Sequence, residues 1–252
     1  MSEILAPLAA RYASWLNAPP AVMDIRHEDP EQVRAMPVIL RIERAQPPGR
    51  TAVLEAAAAA AIAVCLDPRA AAGGAWHAEV ADWISGRIRK VARRARGAHW
   101  QAVQELPGIT IEVEGAQVRA LVPGLVTRTP QMVSRLQISG SELPADDPGP
   151  VPADVPVLWL NPDVSMTVGK AAAQVGHATM ILASVLDAER LADWAERGYP
   201  CAVRTPKSQH WAILRPETDP AAAWRGHRVV VVRDAGFTEV DPGTVTVLAQ
   251  WA

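Results

Sequence analysis

The sequence predicts a layered α/β fold in two tandem units. Three observations predict it. Apolar, strand-like runs alternate with Ala-rich helical runs. The same order of elements occurs twice along the chain. Residues 139–154, rich in Pro and Asp and without a hydrophobic period, separate the two occurrences as a linker. The chain therefore divides into an extension (1–35), a first unit (36–138), the linker (139–154) and a second unit (155–252).

The extension reads as an amphipathic helix near 3–16, a loop and a short turn at Pro30-Glu31-Gln32. The first unit opens MPVILRIERAQPPGRTAVLEAAAAAAIAVCLD (36–67), and the second opens VPVLWLNPDVSMTVGKAAAQVGHATMILASVLD (155–187). Each passes from an apolar strand through a short loop to Gly plus a basic residue, then along an Ala-rich helix that ends in Leu-Asp. ADW at 81–83 recurs at 192–194, and His99-Trp100 recurs as His210-Trp211. The matched positions mark Trp100 and Trp211 as packing residues. Residues 118–136 align without gaps on 230–248, which sets Gly124 on Gly236, Pro130 on Pro242 and Leu136 on Leu248.

Each unit thus reads strand, helix, helix, strand, helix, strand, strand. In the second unit the strands fall near 156–161, 200–205, 228–233 and 244–250, and the helices near 168–186, 188–197 and 207–215. Strand, crossover and strand in this order build a sheet covered by helices.

The apolar fraction of 49% and the charged fraction of 21% are those of an ordinary globular protein. A net charge of −2 excludes a wholly basic nucleic-acid binder and leaves room for a local basic patch. Cys65 and Cys201 lie in apolar runs outside any ligand spacing. That argues against a disulfide framework or a zinc site and for a reducing, cytoplasmic setting. No basic region precedes a long apolar core at the N-terminus, so no signal peptide is expected. The longest apolar run, 52–66, is interrupted by Glu55 and is too short to span a bilayer, so no membrane partner is expected.

On a helix, Lys170, Gln174 and His177 fall at i, i+4 and i+7, the spacing that normally carries an apolar stripe. The first unit has Arg50, Leu54 and Ala57 there, and the gapless alignment replaces Asp234, Thr238 and Thr246 by Val122, Val126 and Ser134. Positions that carry the fold match, while the polar ones mostly turn apolar, which points to a functional site in the second unit. Unpaired N–H groups at the helix start, Gly169-Lys170, suit an anion. Asp234 opens a turn after the VVVV strand, and an aspartate facing Lys170 would orient its ammonium as an electrostatic stabiliser rather than a base. Asp234 or His177 could position or deprotonate a water. The structural alternatives are a core histidine at 177, a turn former at 234 and a purely structural Lys–Asp pair. P-loop, dinucleotide, GxSxG and HExxH motifs are all absent.

GRIRKVARRAR (86–96) concentrates Arg87, Arg89, Lys90, Arg93, Arg94 and Arg96 in the first unit. This cluster either contacts a phosphate backbone or forms a solvated face beside acidic neighbours.

MTVGKAAAQVGHATM (166–180) resembles the Met-x-x-Gly-Lys-x-Ala-Ala-Gln-x-x-His-Ala signature of the archaeal and eukaryotic type of peptidyl-tRNA hydrolase, the Pth2 family. DAGFTEVDPGTVTVL (234–248) is similar to that family's second signature, Asp-Ala-Gly-x-Thr followed by Pro-Gly-Ser/Thr-x-Thr-Val-Leu. The resemblance covers 155–250 and reaches 36–138 only through the internal repeat. It implies a mixed four-stranded sheet flanked by helices in each unit, the first a degenerate copy. It implies hydrolysis of the ester between a peptide and the 3′-terminal ribose of tRNA, without a cofactor. Its catalytic lysine, aspartate and threonines fall on Lys170, Asp234, Thr238 and Thr246. Its glutamine and histidine fall on Gln174 and His177, which would bind substrate beside Gly169. Arg93 and Arg94 of the first unit would lend contacts to tRNA. Family members often pair, so the chain is expected as a monomeric pseudo-dimer or as a homodimer. The chain departs from the family at Phe237-Thr238-Glu239, where Arg-Thr-Gln is usual, and at Ala249-Gln250-Trp251, where Ile-Gly-Pro is usual.

The leading expectation is a cytoplasmic peptidyl-tRNA hydrolase. The alternatives are a non-enzymatic RNA- or protein-binding module on the same fold, or a hydrolase of another small ester or amide.

Overall fold

Two Ala-rich helices with almost no exposed side chain can only sit inside the molecule, and the arrangement follows from that. A computed structural model describes residues 3–17, 28–140, 142–215, 220–236 and 239–251. A 3-10 turn leads into α1 (Ala6–Asn17). The first unit runs β1 (Arg34–Arg41), α2 (Arg50–Leu66), α3 (His77–Ser85), β2 (Lys90–Ala95), α4 (Gly97–Val103), β3 (Gly108–Val113) and β4 (Ala116–Leu121). A two-residue β5 (Gly124–Leu125) and a short α5 (Gln131–Ser134) close it. The second runs β6 (Val157–Leu160), α6 (Val168–Val185), α7 (Ala188–Glu196), β7 (Ala202–Arg204), α8 (Ser208–Leu214), α9 (Pro220–His227), β8 (Val229–Arg233) and β9 (Val245–Gln250).

The sheets are mixed, as expected. Their orders are β2-β1-β4-β3 and β7-β6-β9-β8, with β5 added beside β1 in the first. In each, the first pair is parallel and the other two are antiparallel. Alternation along the strands puts one set of side chains inward and the next outward. Val38 and Leu40 of β1, and Leu158 and Leu160 of β6, join the central core with α2 and α6. Ile39 joins an outer core with Trp100, Val103 and Val133. Trp159 packs on the matching outer core around Trp211 and Leu214. The layers are therefore outer helices, sheet, the α2/α6 layer, sheet and outer helix.

Small side chains make the middle layer close. Thr179 Oγ1 of α6 donates to the Ala58 carbonyl of α2 at 2.9 Å. A Cβ on Gly176 would stand 3.0 Å from Ala61 Cβ. Each central helix also touches the edge strand of the other unit, α2 against β7 and α6 against β2. Glu55 of α2 accepts from the Val203 amide at 2.9 Å and from Arg204 Nη1 at 3.0 Å. The extension spans both units, since the Tyr12 hydroxyl accepts the Val231 amide of edge strand β8 at 2.8 Å. Among the described residues no helix is long and apolar enough to cross a membrane.

The ADW repeats hold the same place in both units. Trp83 Nε1 donates to the Arg89 carbonyl at 3.0 Å, and Trp194 Nε1 to the Pro200 carbonyl at 2.8 Å. The gapless alignment of 118–136 on 230–248 is overturned. Val118 pairs with Leu40 as Val247 pairs with Leu160, so β4 corresponds to β9 and β3 to β8. The apolar spacing around a Gly and a Pro fits either strand, and only the pairing tells them apart. The first unit joins its last two strands by Glu114-Gly115, both at positive φ (47° and 80°), the backbone of a tight hairpin. The second unit joins them through 234–244. That connection has no counterpart in the first unit, so Val122, Val126 and Ser134 are not the equivalents of Asp234, Thr238 and Thr246.

Candidate active site

β6 delivers the chain to α6 through a short loop tied down by hydrogen bonds. Asn161 anchors it, donating from its backbone N–H to the Thr246 carbonyl at 3.0 Å and from Nδ2 to the Val245 carbonyl at 2.7 Å. Thr167 caps α6, accepting the Lys170 amide on Oγ1 at 3.1 Å. Gly169 lies in the first turn. From there Lys170 and Gln174, one turn apart, point at the end of β8.

Register slips between Val232 and Arg233, and β8 ends there. Asp234 follows, buried at 7% exposure. Its backbone is held on both sides, donating to the Thr244 carbonyl at 2.9 Å and accepting the Gly243 amide at 2.8 Å. Its Oδ1 accepts the Gly236 amide at 2.7 Å. Gly236 is required twice over: its φ is +77°, and a Cβ would meet Pro242 Cγ at 2.4 Å.

Among the described residues, four polar side chains converge here. Lys170 Nζ donates to Asp234 Oδ2 at 2.5 Å, and Gln174 Nε2 donates to the same oxygen at 2.8 Å. Thr246 Oγ1 donates to Gln174 Oε1 at 2.5 Å. The ion pair keeps only 9% and 8% of its side-chain surface exposed, so its field acts through little intervening water. A compact ammonium held by a carboxylate at the edge of a core can stabilise an anion that develops beside it.

The family model for peptidyl-tRNA hydrolase PTH2 matches residues 155–250. A peptidyl-tRNA hydrolase of Saccharolobus islandicus (strain L.S.2.15 / Lassen #1) is 33% identical over 99 residues, covering 36% of this chain and 80% of the relative. One from Metallosphaera sedula is 36% identical over 97 residues, covering 36% of this chain and 79% of the relative. One from Methanopyrus kandleri is 34% identical over 94 residues, with 36% and 78% covered. The chain belongs to the PTH2 family of peptidyl-tRNA hydrolases.

The PTH2 match covers the second unit, and the four converging side chains all lie within it. Other residues singled out from the sequence lie elsewhere. Thr238 falls outside the described residues. His177 is on α6, yet its ring Nδ1 lies 3.1 Å from Nζ of Lys90 in the first unit. Arg93 Nη1 donates to the carbonyls of Ser134 (3.1 Å) and Leu136 (2.9 Å), and the Arg94 guanidinium bonds the Gln137 side chain. These arginines brace the end of the first unit and do not join the Lys170–Asp234 group. Arg89 is paired with Glu28 at 2.6 Å. The six-charge cluster is thus dispersed rather than one face.

Two residues stood out in the sequence for other reasons, Glu239 as a departure from the family pattern and Lys90 as one of six clustered charges, and neither was expected in the contacts it makes. Glu239 accepts the Thr167 amide at 3.0 Å and the Thr167 hydroxyl at 2.7 Å, so a carboxylate already sits at the α6 N-terminus. In the first unit, Asp146 of the linker does the same for α2, accepting the Thr51 amide at 2.9 Å and its hydroxyl at 2.6 Å. The other is Lys90, whose place in a strand with alternate small residues (Lys90-Val91-Ala92) was the available signal for an inward side chain.

Proposed function

We propose that the second unit hydrolyses the ester of peptidyl-tRNA. Water adds to the ester carbonyl, and the bond to the ribose 3′ oxygen breaks. That oxygen takes a proton, giving a peptide carboxylic acid and tRNA with a free 3′-hydroxyl. The observation that carries this reading is the enclosed Lys170–Asp234 pair at 2.5 Å within the stretch that resembles PTH2 enzymes.

Lys170 stabilises the oxyanion of the tetrahedral intermediate. Asp234 holds Lys170 through Oδ2, and its Oδ1, which among the described residues accepts the Gly236 N–H at 2.7 Å, has a further lone pair to orient the attacking water. Gln174 fixes Asp234, and Thr246 fixes Gln174. Thr238 takes part in catalysis, and Gly169 and His177 bind substrate. No cofactor takes part, and the protein works in the cytoplasm.

We infer further that the first unit is a degenerate copy that stands where a second subunit would, so that one chain is a pseudo-dimer. The common strand order, the paired Trp83 and Trp194 bonds and the contact of α2 with α6 support this. Its α2 start bears Arg50, is blocked by Asp146, and has no counterpart of the 234–244 connection.

Single-turnover release of peptide from a peptidyl-tRNA tests the assignment. Wild type is expected to release peptide, Lys170→Ala to be slower by roughly 10²–10³-fold, and Asp234→Asn to be impaired as well. Equal, slow release from wild type and Lys170→Ala would sink it.

A further inference from the structure

The seam between the two units holds an amine that the hydrolytic reading does not use. Lys90 opens β2 opposite Met36. Its side chain leaves the first sheet and reaches α6 of the second unit. There Nζ lies 3.1 Å from His177 Nδ1, 3.1 Å from Met180 Sδ and 5.0 Å from the centroid of the Trp83 ring. An imidazole, a thioether and an indole are weak company for an ammonium.

The position is built rather than incidental. Gly176 lies between the two residues on α6, and a Cβ there would stand 3.0 Å from Lys90 Cε and 3.1 Å from Cδ. The missing side chain is the notch through which the lysine stem passes. His177 lies on the helix face that carries Lys170 and Gln174, three residues beyond the glutamine.

Burial pushes the Lys90 amine down to about 7, with only Cys65 of α2 opposing. Burial also pushes His177 well below the usual imidazole value, helped by the positive charges of Lys90 and Lys170. The ring is therefore neutral and carries a single N–H. An ammonium has donors and no acceptor, so beside one the Nδ1 atom must accept and the ring proton must sit on Nε2.

We propose that Lys90 of the first unit is a positioning residue for the site of the second: its ammonium donates to His177 Nδ1 and fixes the ring as the Nε2–H tautomer, with Nε2 as a donor. The catalytic consequence rests on the hydrolytic reading above; the tautomer does not. Groups facing the pair are Cys65 from α2, Trp83 from α3, and Lys170 and Met180 from α6. As pH rises through about 7 the amine becomes neutral and can accept as well as donate, and the ring is no longer held to one tautomer.

The test uses the full chain, with Lys90→Met and Lys90→Arg. Long-range ¹⁵N–¹H spectra of the histidine rings, with His177 assigned through His177→Gln, read the tautomer directly. Below pH 7, wild type and Lys90→Arg are expected to show the Nε2–H form, and Lys90→Met the Nδ1–H form or a mixture. In single-turnover peptide release, Lys90→Met is expected to be slower by roughly tenfold below pH 7, the cost of losing an orienting partner. It should also lose the inflection that wild type shows near 7. A pure Nε2–H ring in Lys90→Met, or an unchanged inflection, overturns the proposal. If wild type does not cleave peptidyl-tRNA the hydrolytic reading fails, and the spectra still decide the role of Lys90.

Discussion

Gln174 donates from Nε2 to Asp234 Oδ2 at 2.8 Å, and that bond decides which way round the buried amide lies. A carboxylate only accepts, so Nε2 must face it, and Oε1 is left to accept from the Thr246 hydroxyl at 2.5 Å. Thr246→Val keeps the shape and removes the donor. It is expected to slow turnover by roughly tenfold and to cost about 1–3 kcal/mol in urea unfolding, from the unsatisfied amide. Thr246→Ser should retain most of both. Wild-type turnover in Thr246→Val would show that the hydroxyl does not orient Gln174.

The Lys170–Asp234 pair makes stability and turnover separable. Lys170→Met leaves Asp234 enclosed without its cation, at a cost of about 3–5 kcal/mol, as for a broken buried pair. Adding Asp234→Asn removes the stranded charge. The double variant is expected to regain most of the lost stability in denaturant unfolding while turnover stays low. If turnover returned together with stability, the pair would be structural only.

Much of the second unit was legible in the sequence because its signals are local. Thr167 before Val168, Asp187 before Ala188 and the VVVV run mark ends that the structure places within two residues of those expected. The convergence of Lys170 and Gln174 on Asp234 was legible from helix period and strand end together. What stayed hidden depends on pairing and orientation. The apolar pattern of 118–136 fits β8 as well as β9, so only strand pairing showed that the first unit lacks the 234–244 connection. α9, which opens with Pro220, is not among the helices expected from the sequence. His177 looked like part of the Lys170 stripe, but its ring partner comes from β2, and helix period carries no information about another unit.

Glu239 sets a limit on anion binding at α6. Its carboxylate takes both the Thr167 amide and hydroxyl, so a tRNA phosphate at this helix start would meet a negative charge. Glu239→Gln keeps an acceptor for Thr167 and removes the charge. The half-saturating concentration of peptidyl-tRNA is expected to fall by about three- to tenfold at low salt, with the gain shrinking as salt is added. The rate at saturation should change little. An unchanged or higher half-saturating concentration would place the tRNA phosphates away from the α6 N-terminus.

Lys90 gives a signed dependence of stability on pH. In the fold its amine is held at about 7, against an ordinary 10.5. Below about 7 both folded and unfolded chains carry the charge, and the folded chain bears the full cost of a buried ammonium. Between about 7 and 10.5 the unfolded chain binds a proton that the folded chain does not, so this group makes stability rise with pH. Lys90→Met has no such group. The variant is therefore expected to gain most over wild type at pH 7 and below, and the gap should narrow steadily as pH is raised toward 10. Urea unfolding of both proteins across that range measures the gap, and titrating groups that Lys90 does not face cancel in the difference. Parallel curves would mean that the amine keeps its charge in the folded protein throughout, held by an interaction stronger than the imidazole at 3.1 Å.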